Sequence, residues 1–319
     1  MPDYYLETQG ELVGDIKPPA KKKRNILLVF LKIFLILIFV VSLSVSALLI
    51  YVRVKYPNPC FVNGMSMYPT FNADGLKYED GSYRPLRYTD GTQGKDDSVD
   101  YGFTDESSGA IEGVKRFDIV VTYYKADFRE PYNFDLDFSE NHYDDSSHAP
   151  KIKRLIGLPG ETITLQTDGT PMGKLYVWSK TAEKTEPNET DAVIQPLTQE
   201  DYDRPLQSIE GYETATYPAM TDAYYDGSGS HIAAHTWTLG KKGSILGDTG
   251  IDADEYLVMG DNRAGGNSYD CRWAAVGPVY RYYIQSKVVM MIGRCKISGD
   301  SSCNLEYSTI KWPWNIQRL

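Results

Sequence analysis

Histidine is nearly absent from this sequence. Its 319 residues hold four, His142, His148, His231 and His235, all in polar tracts poor in core residues. A hydrolytic triad built on histidine needs one beside its nucleophile, so any serine chemistry here must draw on another base. His231 and His235 are four apart, a spacing that can put two metal ligands on one helix face. No Glu follows His231, so the zinc-protease helix signature is missing. Cysteine is as sparse. Cys60, Cys271, Cys295 and Cys303 form no CxxC or Cys/His spacing, and no metal site is expected. Cys295 and Cys303 flank Ser298-Gly299-Asp300, which suits a small disulfide-closed loop in an oxidising exterior, with Cys60 and Cys271 as the other pair. Four cysteines allow three connectivities, and the spacing does not choose. Positive charge is short too: 33 Lys and Arg against 43 Asp and Glu give a net charge of -10. A general nucleic-acid binder needs clustered basic residues to replace counterions, so that class is excluded. Internal repeats are missing, and so is long helical periodicity outside one segment.

That segment is the one long hydrophobic run, from Ile26 to Tyr51, interrupted near its start by Lys32. The stretch from Ile33 to Tyr51 is 19 residues and holds three serines. At about 1.5 Å per residue this nearly spans a bilayer's hydrocarbon core, and Lys32 can snorkel to the headgroups. The basic cluster Lys21–Arg24 precedes the run directly. The positive-inside rule therefore predicts a cytoplasmic N-terminus and an extracytoplasmic body. Ser44-Val45-Ser46 offers small residues of the kind found at signal-peptide cleavage sites. The long polar head and the continuation through Leu48, Leu49 and Ile50 favour an uncleaved anchor instead. The expected organisation is a disordered cytoplasmic head over 1–25, a transmembrane anchor over 26–52 and an extracytoplasmic domain over 56–319. Residues 1–54 carry seven basic and four acidic residues, so the body is strongly acidic.

The body alternates short apolar runs with polar tracts. Strands are predicted over 117–123, 153–158, 162–165, 174–178, 256–259 and 287–292, each short and rich in β-branched or aromatic residues. Asp168-Gly169 between the third and fourth is a hairpin signal. Three tracts, near 72–112, 124–149 and 179–250, are rich in Asp, Gly, Ser and Tyr and too long for ordinary loops. The third carries Ile194, Leu197, Trp237 and Leu239 and is expected to form a subdomain. The fold class expected is mainly β behind one transmembrane helix.

Three blocks carry chemistry. Gly64-Met65-Ser66-Met67-Tyr68-Pro69-Thr70 lies a dozen residues past the apolar run. Its serine needs a base to become a nucleophile; alone, the block reads as a turn ending at a proline. Lys153-Arg154-Leu155-Ile156-Gly157-Leu158-Pro159-Gly160-Glu161 starts an apolar strand. Most lysines at strand edges are simply solvated. Desolvation here, with the positive charge of Arg154 alongside, would lower the Lys153 pKa towards that of a usable base. Gly260-Asp261-Asn262-Arg263 followed by Ser268-Tyr269-Asp270-Cys271-Arg272 sets two acid/arginine pairs close together. These read as a structural clamp or, more blandly, as a turn with surface ion pairs.

In this order, behind one N-terminal anchor, the three blocks resemble those of bacterial type I signal peptidases, the Ser-Lys proteases, with Gram-positive enzymes nearest. Arg116-Phe117-Asp118-Ile119-Val120-Val121 extends the resemblance, with Phe117 where the family usually has glycine, as do Gly277-Pro278-Val279 and Ile284–Val288. The resemblance implies a membrane-bound serine endopeptidase that removes signal peptides from exported preproteins without a cofactor. Ser66 would be the nucleophile, its own N–H serving the oxyanion, and Lys153 the general base. Gly64 stands where some members place a second oxyanion donor. Ser268 would orient the lysine. Arg154, Asp261, Arg263, Asp270 and Arg272 would support the site, and Met67 would lie near the substrate. Partners implied are preprotein signal peptides, the lipid bilayer and the secretion machinery, at the cell membrane. Four residues, Ala264–Asn267, separate Arg263 from Ser268 where the family usually has two. Glu161 and Cys271 replace a common aspartate and serine. Competing readings are a specialised or inactive homologue in surface-protein or pilus assembly, and an anchored binding module.

Overall fold

The computed structural model describes residues 26–56, 58–62, 64–73, 76–79, 82–85, 98–124, 150–208, 211–220, 223–228, 230–263, 268–298, 302–305 and 317–318. The polar head 1–25 and nearly all of the second tract, 125–149, lie outside them.

The apolar run is one α-helix, Ile26–Lys55, of 30 residues and with no buried side chain. At about 1.5 Å per residue it is about 45 Å long, and it is long and apolar enough to cross a membrane. Its serines need hydrogen-bond partners inside an apolar environment, and Ser44 Oγ donates to the carbonyl of Val40 one turn back at 2.9 Å.

The remainder is mostly β. The largest sheet runs, in spatial order, Asn58–Phe61, Ser98–Asp105, Ile284–Ser298, Ile119–Thr122, Lys151–Gly157, Glu255–Met259 and Val279–Tyr280, every neighbour antiparallel. The 15-residue strand Ile284–Ser298 shifts register against its partners at three places. Such bulges bend a strand and increase its twist. Ile119–Thr122 and Glu255–Met259 are buried along their whole length, as expected of apolar runs covered on both faces. Alternation then sorts their side chains: Val120 enters the main core with Leu155 and Val258. Ile119 and Val121 enter a smaller cluster with Cys60, Val62, Met67, Phe71, Val288 and Met291.

A second antiparallel sheet is ordered Ala234–Thr238, Thr162–Gln166, Lys174–Trp178, Ala192–Ile194. The hairpin expected at Asp168-Gly169 joins its two middle strands. Asp168 Oδ1 accepts from the Thr170 N–H at 3.0 Å, and Gly169 takes φ +85°. His231 and His235 sit on strands rather than on a helix.

The third tract folds into the same core. Trp237, Leu239, Tyr202, Leu206 and Tyr217 share the main cluster with Leu155 and Val258, and Ile194 and Leu197 pack against it. The subdomain expected here gives way to a short helix, Gln199–Gln207, and strands laid on the main body. Tyr202, Tyr217 and Tyr225 bury their rings, which a count of polar residues does not anticipate. Cys295 is disulfide-bonded, but Cys60 and Cys271 are free. They lie in different clusters, so the second bond expected between them does not form.

Candidate active site

The Lys151–Gly157 strand lies between Ile119–Thr122 and Glu255–Met259, with Lys153 opposite Val120. That central place buries Lys153 to 3 % exposure. Its Nζ donates to Ser66 Oγ at 3.0 Å and to the Ile152 carbonyl at 2.9 Å. Burial pulls the Lys153 pKa from 10.5 to about 8. Asp270 and Asp261 oppose that drop, and the positive charges of Lys151 and Arg272 assist it. Arg154, expected to assist as well, is tied to a carboxylate instead.

Ser66 stands in a turn whose carbonyls are held from two directions. Asn72, in the left-handed region at φ +58°, donates from Nδ2 to the Val62 and Gly64 carbonyls at 2.7 and 2.8 Å. Asn262 donates from Nδ2 to the Met65 carbonyl and from its backbone N–H to the Ser66 carbonyl, both at 3.0 Å. With those oxygens engaged, the Ser66 N–H has no acceptor among the described residues. Gly64 takes φ +111°, and a Cβ built on it meets nothing within 4 Å. The position is open, and a glycine offers no side-chain donor there.

Behind the pair lies a buried ionic frame. Arg154 grips Asp261 bidentately, Nε to Oδ1 and Nη2 to Oδ2, each at 2.7 Å, and donates from Nη1 to the Phe117 carbonyl at 2.9 Å. Thr70 Oγ1 donates to Asp261 Oδ2 at 2.5 Å, tying the end of the serine turn to the same carboxylate. Asp270 and Arg272, both fully buried, pair at 2.9 and 3.1 Å. Burial would raise the Asp270 pKa, but the Arg272 charge and its hydrogen bonds outweigh it and the carboxyl is held below its usual range. Asp270 Oδ2 also accepts the Gly260 N–H at 2.8 Å, and Arg272 Nη1 reaches the Arg263 carbonyl at 3.0 Å. The Arg154–Asp261 and Asp270–Arg272 charges are tolerable this deep because each is paired and hydrogen-bonded.

Two expected members differ. Ser268 is buried against Gly260, but its hydroxyl bonds to no described residue, Lys153 included. It follows the four-residue spacing that sets this chain apart, and residues 264–267 lie outside the described ones. Arg263 is fully buried, and only its Nε is bonded, to the Gly260 carbonyl at 3.2 Å; Nη1 and Nη2 meet no acceptor among the described residues. Asp261 thus pairs with Arg154, across the sheet, and not with its sequence neighbour. Met67 is completely buried in the smaller cluster. Phe117, where the family usually has glycine, keeps a left-handed backbone at φ +73°. Asn72, Tyr202 and Tyr217 were not legible as site residues. Tyr202 donates to the Asp261 carbonyl at 2.5 Å, and Tyr217 to Asn262 Oδ1 at 2.7 Å. The one signal near them in the sequence is the capping pattern Thr198-x-x-Asp201, which starts the helix that carries Tyr202.

The arrangement places a desolvated amine within hydrogen-bond reach of a hydroxyl, with an uncommitted backbone N–H beside it. A hydroxyl, a desolvated amine and an open backbone donor, the three kinds of group that acyl transfer calls on, therefore lie together. The family model described as signal peptidase, peptidase S26, matches residues 30–292, a span that contains all three motif blocks and most of the apolar helix. No curated protein matches the chain. The order of the blocks, the β-rich fold and that match together place the chain in the signal peptidase family, peptidase S26.

Proposed function

We propose that this chain is an active serine endopeptidase, anchored in the cell membrane by its N-terminal helix, that removes signal peptides from exported preproteins. The observation that carries the reading is the 3.0 Å contact between Lys153 Nζ and Ser66 Oγ, made by a lysine whose burial favours the neutral form. With a pKa of about 8, about one Lys153 in ten is neutral at pH 7. That is about 300-fold more than for a solvated lysine.

In the reaction, neutral Lys153 takes the Ser66 hydroxyl proton as Oγ attacks the carbonyl carbon of the scissile bond. The oxyanion forms beside the Ser66 N–H, which lowers the barrier because that donor is already in place. As the tetrahedral species collapses, the carbon–nitrogen bond breaks and the Lys153 ammonium gives its proton to the departing amine. Mature protein leaves and the signal peptide remains as an ester on Ser66. Lys153 then deprotonates a water, which attacks the ester; as the carbon–Oγ bond breaks the Lys153 ammonium returns its proton to Ser66 Oγ, and the released acid ionises to the signal peptide carboxylate. Ser268 is suited to accept a hydrogen bond from the ammonium, since its hydroxyl has no other commitment. Small residues are expected at the first and third positions before the cut.

The basic cluster Lys21–Arg24 keeps the head in the cytoplasm. The body then meets preproteins at the outer face as they leave the secretion machinery, and tethering raises the effective concentration of enzyme at the membrane. The test is incubation of the full chain in detergent micelles with a preprotein, followed by N-terminal sequencing of the product. Cleavage after a small residue, lost when that residue is replaced by a bulky one, supports the reading. An intact preprotein across several substrates would favour the inactive, assembly-type homologue.

A further inference from the structure

The segment 198–220 belongs to none of the motifs, yet it is bonded to two of them. Helix Gln199–Gln207 buries Tyr202, Asp203 and Leu206. Asp203 Oδ1 accepts from the Tyr217 N–H at 2.6 Å and from Gln199 Nε2 at 2.7 Å, which locks Tyr217 to the helix. Three tyrosine rings then stack between this segment and the serine turn. Tyr68 and Tyr217 lie 4.7 Å apart at 25°, and Tyr202 and Tyr217 5.5 Å apart at 31°. Each hydroxyl has a partner: Tyr68 donates to the Tyr202 carbonyl, Tyr202 to the Asp261 carbonyl and Tyr217 to Asn262 Oδ1.

The last bond has the sharpest consequence. An asparagine amide can present either its oxygen or its nitrogen to a neighbour. By donating to Oδ1, Tyr217 sets the amide so that Nδ2 faces the Met65 carbonyl. Asn262 meanwhile holds the Ser66 carbonyl through its own N–H. We propose that Tyr217, supplied by the long third tract, is a positioning residue for the nucleophile turn and acts through Asn262. The proposal rests on Ser66 being the nucleophile. Without the hydroxyl, Oδ1 loses that donor and the amide is held through Nδ2 alone, which would loosen the turn that fixes Ser66 against Lys153. Displacements of about 1 Å can cost up to about 100-fold in rate. A tyrosine serving only as core packing would change stability and nothing else.

The test compares wild type, Tyr217→Phe, Asn262→Ala and the double variant, all as the full chain in detergent micelles. Tyr217→Phe keeps the ring stack and removes one buried hydrogen bond. Its kcat is expected to fall about tenfold with KM within about twofold, because the turn it steadies presents Ser66 less often in the reactive geometry. The double variant is expected to be no slower than Asn262→Ala alone, because both changes break one path. Unchanged kcat with a lowered melting temperature, or a double variant slowed by the product of the single effects, would overturn the proposal. Amide hydrogen exchange gives a readout independent of turnover. Exchange at Asn262 and across the serine turn should accelerate in Tyr217→Phe, while strand Thr162–Gln166 stays protected. Equal exchange in both proteins would refute the positioning role. If wild type cleaves no preprotein, the functional reading fails on its own and the exchange result alone decides this one.

Discussion

Replacing Lys153 by methionine removes the buried amine while keeping a chain of similar length. The ammonium is disfavoured in the folded protein, where the pKa is about 8, and not in the unfolded chain, where it is 10.5. Between those values the unfolded chain holds the extra proton, so wild-type stability must rise with pH across that window. At 1.36 kcal/mol per pH unit, the full gain is about 3 kcal/mol. Methionine at this position has nothing to titrate. The stability difference between wild type and Lys153→Met should therefore shift by about 3 kcal/mol in favour of wild type from pH 7.5 to pH 10.5. It should be flat below about pH 7.5, where both states are charged. The assay is urea unfolding of each protein in the same micelles at a series of pH values. Tryptophan fluorescence reports on the body alone, because all five tryptophans lie after residue 177. The other titrating groups are common to both proteins and cancel in the difference. Hydrogen bonds lost with the amine offset the curve without tilting it. A difference independent of pH would refute the argument, because Lys153 would then titrate as an exposed lysine does.

Two further predictions concern activity. The rate constant kcat/KM should rise with unit slope as pH climbs towards about 8 and level off above it, since only neutral Lys153 can accept the Ser66 proton; a profile flat from pH 6 to 9 would contradict this. A Cβ on Gly260 would overlap the Ser66 carbonyl oxygen and the Ser268 hydroxyl, so Gly260→Ala should lower kcat by about 100-fold or more. Circular dichroism should show the fold retained, and near-wild-type turnover would show that this contact does not govern the site.

Most of the β framework was legible because its strands are short apolar runs bounded by Gly, Pro and Asp. The observed strands at 119–122, 162–166, 174–178 and 255–259 lie within two residues of the predicted limits. Ser66 and Lys153 stand out in separate blocks, 87 residues apart, and the fold brings their side chains into contact. Partner choice was not legible, because it is set by pairing across the sheet rather than by spacing. Asp261 and Arg263 look like a local pair, yet Asp261 takes Arg154, 107 residues away. Phe117 shows why a residue type can depart from its family while the backbone does not. The Phe117 N–H and carbonyl bond Leu155 and Arg154, and those bonds hold φ at +73°. A left-handed φ is a strained conformation for a bulky side chain. The third tract hides its share of the core behind its composition. Tyrosine reads as polar surface in a sequence, but Tyr68, Tyr202 and Tyr217 are at most 2 % exposed. They satisfy their hydroxyls on carbonyls and an amide that only the folded chain brings near.

The most direct measurement is turnover of one preprotein by wild type, Ser66→Ala and Lys153→Ala, each as the full chain in micelles at pH 8 with its folding checked. If Ser66 is the nucleophile and Lys153 its base, wild type releases mature protein and both variants release none above background. Cleavage by either variant at a rate near wild type would contradict the assignment of the Ser66–Lys153 pair.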